Sequence, residues 1–345
     1  MFTLSQLNLP VLQAPMVGVS TPALAAAVSN AGGLGAVAAG AMAPDALHRM
    51  MSEVQALTAC AVNLNLFVQR REAVDRDVVI EAVKKLRPWR DRVGLNPHQT
   101  LPAEWYADFD GQLQAAIDCR PAVVSFTFGC LTDDEVERLH RADIFVIGTA
   151  TTPAEVAQCF AVDVDAVCIQ GIEAGGHRGS FTPEAQLRGL PMEELLRDAL
   201  SLTCRPVIAA GGIMTGADIR GVMNMGAAAA QLGTAFLLTP EAATNAPWRE
   251  RLKAGGETRL TRAFSGRYAR GIVNAYMDEM LEVEQQLPAY PVMNVLTGEI
   301  RAAAAKMGNS DCLSLWASTR LKDVRELPAA DIIARLTDEM KHLVK

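Results

Sequence analysis

One histidine stands apart in this chain. The sequence holds five. His48, His140 and His342 fall in segments that read as surface helices, and His98 sits in a proline-containing loop. His177 alone lies in a glycine-rich loop, Gln170-Gly-Ile-Glu-Ala-Gly-Gly-His-Arg-Gly179, directly after an apolar run. A neutral imidazole in that setting takes a proton from an acidic carbon, and a protonated one pairs with an anion. The other reading is a histidine that only caps its loop. Arg178 reads as a structural partner and Glu173 as an anchor for the loop.

Two glycine runs suggest a second kind of chemistry. Ala210-Gly211-Gly212 and Gln231-Leu-Gly-Thr234 each end an apolar run. Glycine lets backbone N–H groups approach a phosphate closely, and a following helix N-terminus favours negative charge. Either run alone fits a tight turn with no ligand. Two on adjacent strands point to a phosphate-bearing cofactor. Asn65 and Gln170 fall within strand-like runs, where a buried amide must be hydrogen-bonded. Their partners are either backbone groups of the fold or the donor–acceptor edge of a flat heterocycle such as an isoalloxazine.

Other chemistries find no support. No HExxH, CxxC or other metal-ligand spacing occurs, so no metal is expected. GxSxG and GxGxxG are also absent, which counts against a nucleophile elbow and a dinucleotide-binding sheet. The seven cysteines are scattered and read as buried free thiols in a reducing compartment.

The elements that must position these residues alternate. Apolar, strand-like runs occupy Val11–Met16, Leu34–Ala39, Ala61–Val68, Ala122–Gly129, Ile144–Gly148, Ala166–Gly171, Pro206–Gly212 and Ala229–Leu237. Helical segments intervene at Pro22–Asn30, Pro44–Leu57, Val78–Leu86, after Thr132, and at Thr152–Phe160, Glu193–Leu202 and Thr215–Met225. Eight strands with helices between them, closing near residue 238, make a (β/α)8 TIM barrel. In that fold the site lies at the carboxyl ends of the strands, where His177 and both glycine runs fall. The division expected is a barrel over 1–240 with an irregular insertion at 69–119, a smaller and mostly helical covering segment at 241–320, and a region at 321–345 whose helix Asp331–Val344 packs on the barrel.

The chain has 345 residues, half of them hydrophobic, and a net charge of −7. A barrel uses roughly 250 residues, which leaves about 100 for insertions. No basic cluster suits nucleic acid, and no long apolar run suits a bilayer. No signal peptide is read at the start, so a cytoplasmic protein is expected, as monomer or homodimer.

Several motifs together resemble those of class I nitronate monooxygenases, formerly called 2-nitropropane dioxygenases. They are Gln13-Ala-Pro-Met16 with Ser20-Thr-Pro22, Ala26–Gly35, Ser125-Phe-Thr-Phe-Gly129, Ile147–Pro153, Gln170–Phe181, Pro206–Ile213 and Gln231–Phe236. The likeness extends to Phe264–Ile272 and Tyr290–Asn294. It implies a non-covalent FMN with its phosphate on Gly211, Gly212 and the turn Gln231, Leu232, Gly233, Thr234. It implies further flavin contacts from Asn65, Gln170, Gly175 and Gly176, with Ala14, Pro15 and Met16 lining the ring. His177 would be the base or anion partner, and Tyr290 and Arg267 would face the substrate. Nitronates such as propionate 3-nitronate would give one electron to the flavin, and O2 would complete the oxidation to a carbonyl compound and nitrite. One departure is Thr215-Gly-Ala-Asp218, where family members often carry Asp-Gly-Arg-Gly; it changes the local helix start.

The same scaffold also suits an FMN-dependent enoyl-ACP reductase or an NAD(P)H:quinone reductase. A non-catalytic flavin-binding protein is a third reading. It would bind ligand without turnover and be indifferent to His177.

Overall fold

The computed structural model describes residues 1–187 and 189–342. At its centre are eight parallel strands: β1 (Val11–Gln13), β2 (Gly35–Ala38), β3 (Val62–Phe67), β4 (Val123–Thr127), β5 (Phe145–Ala150), β6 (Ala166–Gln170) and, after a two-residue strand β7 (Gly176–His177) outside the ring, β8 (Val207–Ala210) and β9 (Ala229–Leu232). Their order is β1-β9-β8-β6-β5-β4-β3-β2. The ring closes at Leu34, just ahead of β2. Leu34 N–H donates to Val11 C=O and Gln13 N–H donates to Leu34 C=O, both at 2.9 Å. The buried Gln13 side chain extends this seam. Its Oε1 accepts from Ala36 N–H and its Nε2 donates to Ala36 C=O, both at 3.0 Å. The architecture is the expected (β/α)8 barrel.

The helices that wrap it are α1 (Pro22–Asn30), α2 (Pro44–Leu57), α3 (Arg76–Arg92), α4 (Phe109–Cys119), α5 (Asp133–Arg141), α6 (Pro153–Ala161), α7 (Pro183–Leu187), α8 (Met192–Leu202) and α9 (Gly216–Asn224). Thr21, Thr132, Thr152 and Thr215 cap their helices through side-chain oxygens. At Thr215 the partner is Asp218, so this sequence starts α9 with a capping box. Beyond the barrel come α10 (Ala246–Ala254), β10 (Thr258–Thr261), β11 (Ala269–Ile272), α11 (Ala275–Glu279), α12 (Val292–Leu296), α13 (Gly298–Met307) and α14 (Ala329–His342). Helix α14 packs between α9 and α1. The helix expected there runs to Val344, which lies outside the described residues.

The insertion at 69–119 is more regular than its prolines suggest. Helix α3 runs through Pro88 to Arg92 instead of ending at Leu86. Tertiary contacts hold its last turn. Trp89 is buried with its ring centroid 4.8 Å from that of Tyr276, and Arg92 stacks 4.0 Å over Trp89. A second helix, α4, ends the segment after the loop 93–108, capped by the Asp108 carboxylate on Gly111 N–H. The covering segment also contains strands. β10, β11 and β7 form a small antiparallel sheet with β11 in the middle.

The barrel interior is layered. Leu12, Leu34, Val123, Phe145, Ile147, Cys168, Ile208 and Ala229 form an apolar plug, closed beneath by Leu4. One pleat further along β3, β4 and β6, the strands present Asn65, Ser125 and Gln170, which hydrogen-bond at the carboxyl end. The period of two makes the same strands apolar on their other face, where Leu64, Val124 and Ile169 meet the helices. All seven cysteines are free, but Cys60 and Cys204 are exposed rather than buried as expected, since both lie where a helix has ended. Among the described residues, no helix is long and apolar enough to cross a membrane and no metal-binding cluster occurs.

Candidate active site

The polar layer leads directly to His177. Gln170 donates from Nε2 to His177 C=O at 2.9 Å and accepts from Gly179 N–H at Oε1, also at 2.9 Å. Both ends of its amide therefore hold the loop that carries the histidine. Asn65 differs. Its Nδ2 donates to Ser125 Oγ at 2.9 Å, while its Oδ1 accepts from no protein donor among the described residues.

The glycine runs lie beside this layer. Gly211 and Gly212 have φ of +125° and +68°, open to glycine and strained for other residues. A Cβ on Gly233 would come within 3.3 Å of Ala14 Cβ and 3.9 Å of Met16 Sδ, so these residues share one rim. Thr234 Oγ1 accepts from Ser318 N–H at 3.0 Å. Gly175 packs so tightly on Ala317 that a Cβ would lie 2.4 Å from its carbonyl carbon. Gly176 faces open space. The Leu232 side chain points into the outer core, so only its backbone reaches the rim. Pro15 sits between Ala14 and Met16, half-buried on the same rim.

His177 lies on β7, opposite Ala269 of β11, and the next residue continues the pairing through Arg178 N–H to Tyr268 C=O at 2.8 Å. Arg178 is wholly buried. Its Nη1 donates to Gly171 C=O at 2.9 Å, and its Nε and Nη2 have no partner among the described residues. The His177 ring is walled by Trp316, Phe128 and Tyr290, with ring centroids at 5.5, 5.7 and 5.9 Å. Its Nε2 lies 2.8 Å from Ser265 Oγ. Burial, reinforced by the Arg267 and Arg301 charges, lowers its pKa to about 3. The ring is therefore neutral at ordinary pH.

Arg267 stacks 4.1 Å over Phe128 and donates to Ser180 C=O at 2.6 Å. Arg301 donates from Nη2 to the Asn294 carbonyl at 2.7 Å and to Asn294 Oδ1 at 2.9 Å. Burial lowers the pKa of both, that of Arg267 to about 10. Among the described residues, neither forms an ion pair with a carboxylate. Burial raises the Tyr290 phenol to about 12. A cavity of about 510 Å³ opens from this cluster, lined in part by Arg70, Tyr106, Phe128, Gln186, Arg267 and Tyr290.

Of the residues expected at the site, His177, Tyr290 and Arg267 come together here; Gly233, Ala14 and Met16 share one rim, and Gly211 and Gly212 pack beside Gly171, Glu173 and Ala174. Ser265, Trp316, Phe128 and Arg301 were not singled out. Ser265 and Phe128 lie within quoted motifs, while Trp316 and Arg301 carry no local signal.

A family model described as nitronate monooxygenase matches residues 1–339. Similar proteins include the nitronate monooxygenase of Pseudomonas aeruginosa, 41% identical over 337 residues and covering 96% of each chain. That of Paraburkholderia phytofirmans is 40% identical over 343 residues, covering 97% of this chain and 93% of the relative. The structure of nitroalkane oxidase from Streptomyces ansochromogenes superposes with a TM-score of 0.92 at 37% identity, covering 98% and 97% of the two chains. FabK from Thermotoga maritima gives 0.75 at 24% identity, covering 98% and 94%, and shares the fold. Matched along nearly its whole length by family model and relatives alike, the chain belongs to the nitronate monooxygenase family.

Proposed function

We propose that this protein oxidises alkyl nitronates with molecular oxygen, giving a carbonyl compound and nitrite, with FMN as its cofactor. The observation that carries the reading is the charge around His177. Two guanidinium groups, Arg267 and Arg301, flank a neutral imidazole, and among the described residues neither is ion-paired with a carboxylate. A buried cation without a counter-ion is costly, so such a site is suited to an anionic occupant. A nitronate is an anion, whereas its parent nitroalkane is neutral.

The residues present fit FMN. Asn65 Oδ1 accepts from no protein donor among the described residues and is free to take one from a ligand, and a side chain at Gly211, Gly212 or Gly233 would crowd its neighbours. In this reading Gly211, Gly212 and the Gln231–Thr234 turn hold the phosphate. Asn65 and Gly175 meet the ring, which Ala14, Pro15 and Met16 line, and Gly176 leaves room beside it. Gln170 acts through the loop that it pins. When bound, FMN would supply the electron acceptor for the substrate and the electron donor for O2. The chain supplies the rest: Arg267 and Arg301 hold negative charge, Phe128, Tyr290 and Trp316 keep water from the ring, and the segment 241–320 covers the substrate.

His177 takes an α-proton only when the substrate arrives as a neutral nitroalkane. A base with a pKa of about 3 does this poorly. Preformed nitronates should therefore be much better substrates than nitroalkanes, and His177→Asn should keep the flavin while losing most of the nitroalkane activity. The test is anaerobic mixing of the yellow protein with propionate 3-nitronate and, separately, with NADH, followed through the flavin spectrum. Reduction by the nitronate alone supports the proposal. Bleaching by NADH alone overturns it in favour of a reductase.

A further inference from the structure

We propose that Ser265 is a positioning residue that fixes His177 in the tautomer with its proton on Nε2, so that Nδ1 is the ring atom presented to substrate. The inference rests on the reading above only in taking His177 to face the substrate.

The argument is one of proton counting. A serine hydroxyl carries a single proton. Two acceptors lie within reach of Ser265 Oγ: Arg267 C=O at 3.0 Å and His177 Nε2 at 2.8 Å. The carbonyl can only accept, and no other donor among the described residues reaches it. If the hydroxyl proton went to the imidazole, the carbonyl would lose its partner. If it goes to the carbonyl, Oγ has lone pairs for the imidazole and Nε2 must carry the hydrogen. Arg267 N–H, which points at Oγ from 3.4 Å, is a further donor to the same oxygen. The far side of the ring agrees, because no protein acceptor among the described residues hydrogen-bonds to Nδ1 and none would hold a proton there.

The turn carrying Ser265 is built to stay in place. Gly266 has φ of +81°, and a Cβ there would lie 2.4 Å from Pro288 C=O and 2.6 Å from Tyr290 N. Ser265 and Tyr290 are thus fixed against each other through one glycine. Thr297 Oγ1 donates to Phe264 C=O at 2.5 Å from the opposite side, and Arg267 clamps the His177 loop through Ser180 C=O at 2.6 Å. Serine, glycine and arginine act as one device: the first orients the ring, the second spaces the phenol, and the third holds the loop.

The chemistry follows from the tautomer. Nδ1 carries a lone pair and accepts hydrogen bonds or a proton, but it has no hydrogen to donate to a nitronate oxygen. Negative charge on the substrate is therefore left to the guanidinium groups, and His177 contributes only where a proton must be removed.

The test is nitrogen spectroscopy of the protein as purified, labelled with 15N-histidine, with His177→Asn to identify the signals. The expected result in the wild type is a protonated Nε2 and a bare Nδ1 on His177 at neutral pH. In Ser265→Ala the two tautomers should mix, and kcat on a neutral nitroalkane should fall on the order of tenfold to a hundredfold, with KM little changed. A wild-type signal showing the proton on Nδ1, or an unchanged tautomer in Ser265→Ala, overturns the proposal. The wild-type spectrum decides the question even if the variant fails to fold. It is read without turnover, so failure to oxidise nitronates would be a separate result.

Discussion

Phe128 holds φ of +78°, a left-handed conformation that is rare for an aromatic residue. Such a backbone costs about 1–2 kcal/mol and persists only where surrounding contacts impose it. Here those contacts are the Phe67 ring at 4.3 Å, the Arg267 guanidinium at 4.1 Å and the Phe128 N–H bond to Gly179 C=O at 3.3 Å. Phe128→Ala keeps the strain and loses the packing, whereas Phe128→Gly loses the packing but relieves the strain. Urea unfolding should therefore rank glycine above alanine at this position by roughly 1 kcal/mol, the reverse of the usual order. His177 makes a second residue-scale prediction. Between its ordinary value of 6.5 and about 3, the unfolded chain binds a proton that the folded site refuses. Its contribution to stability is full above pH 6.5 and is lost as the pH falls towards about 3. Thermal unfolding of His177→Asn across that window should show a shallower acid slope than the wild type; an equal slope would refute the low pKa. His177 was legible in the sequence because a rare residue stood in a glycine loop at a strand end. Ser265 was not, since it reaches the ring from 88 residues away, and no local spacing encodes that.

At the scale of elements, the barrel strands were legible because most are apolar runs bounded on at least one side by glycine or proline, while β3 shows itself by alternation. The errors lie where tertiary contacts override local preference. Proline ordinarily ends a helix, yet α3 passes through Pro88 because buried Trp89 anchors the turn beyond it. The sheet of β7, β10 and β11 was illegible for another reason: a two-residue strand has no periodicity to detect. This sheet and the Gly266 turn join the covering segment to the barrel. Gly266→Ala forces a Cβ against Pro288 and Tyr290 at a positive φ. It should destabilise the protein by roughly 2–4 kcal/mol in urea unfolding and raise KM for the nitronate, because Tyr290 shifts. Wild-type stability in that variant would show that the turn has slack.

At the scale of the molecule, closure of the barrel depends on one side chain as well as on the backbone. Gln13 bonds both polar groups of Ala36 and also Ser20 Oγ at 2.8 Å. Gln13→Leu should cost roughly 2–4 kcal/mol, because it leaves a buried N–H and C=O without partners. The measurement is a lowered unfolding midpoint, with flavin release at or below it; an unchanged midpoint would mean that the Leu34 bridge closes the ring unaided. Fold class could be read from the order of elements, but this seam could not, since the motif containing Gln13 looks like part of a binding site. The pairing of β7 with β11 has a wider consequence. Part of the segment 241–320 and the strand that carries His177 belong to one sheet, so a shift of β11 carries the histidine with it. A cover tied to the histidine in this way leaves the vestibule lined by Arg70, Tyr106 and Tyr290 as an opening onto the cluster from the side.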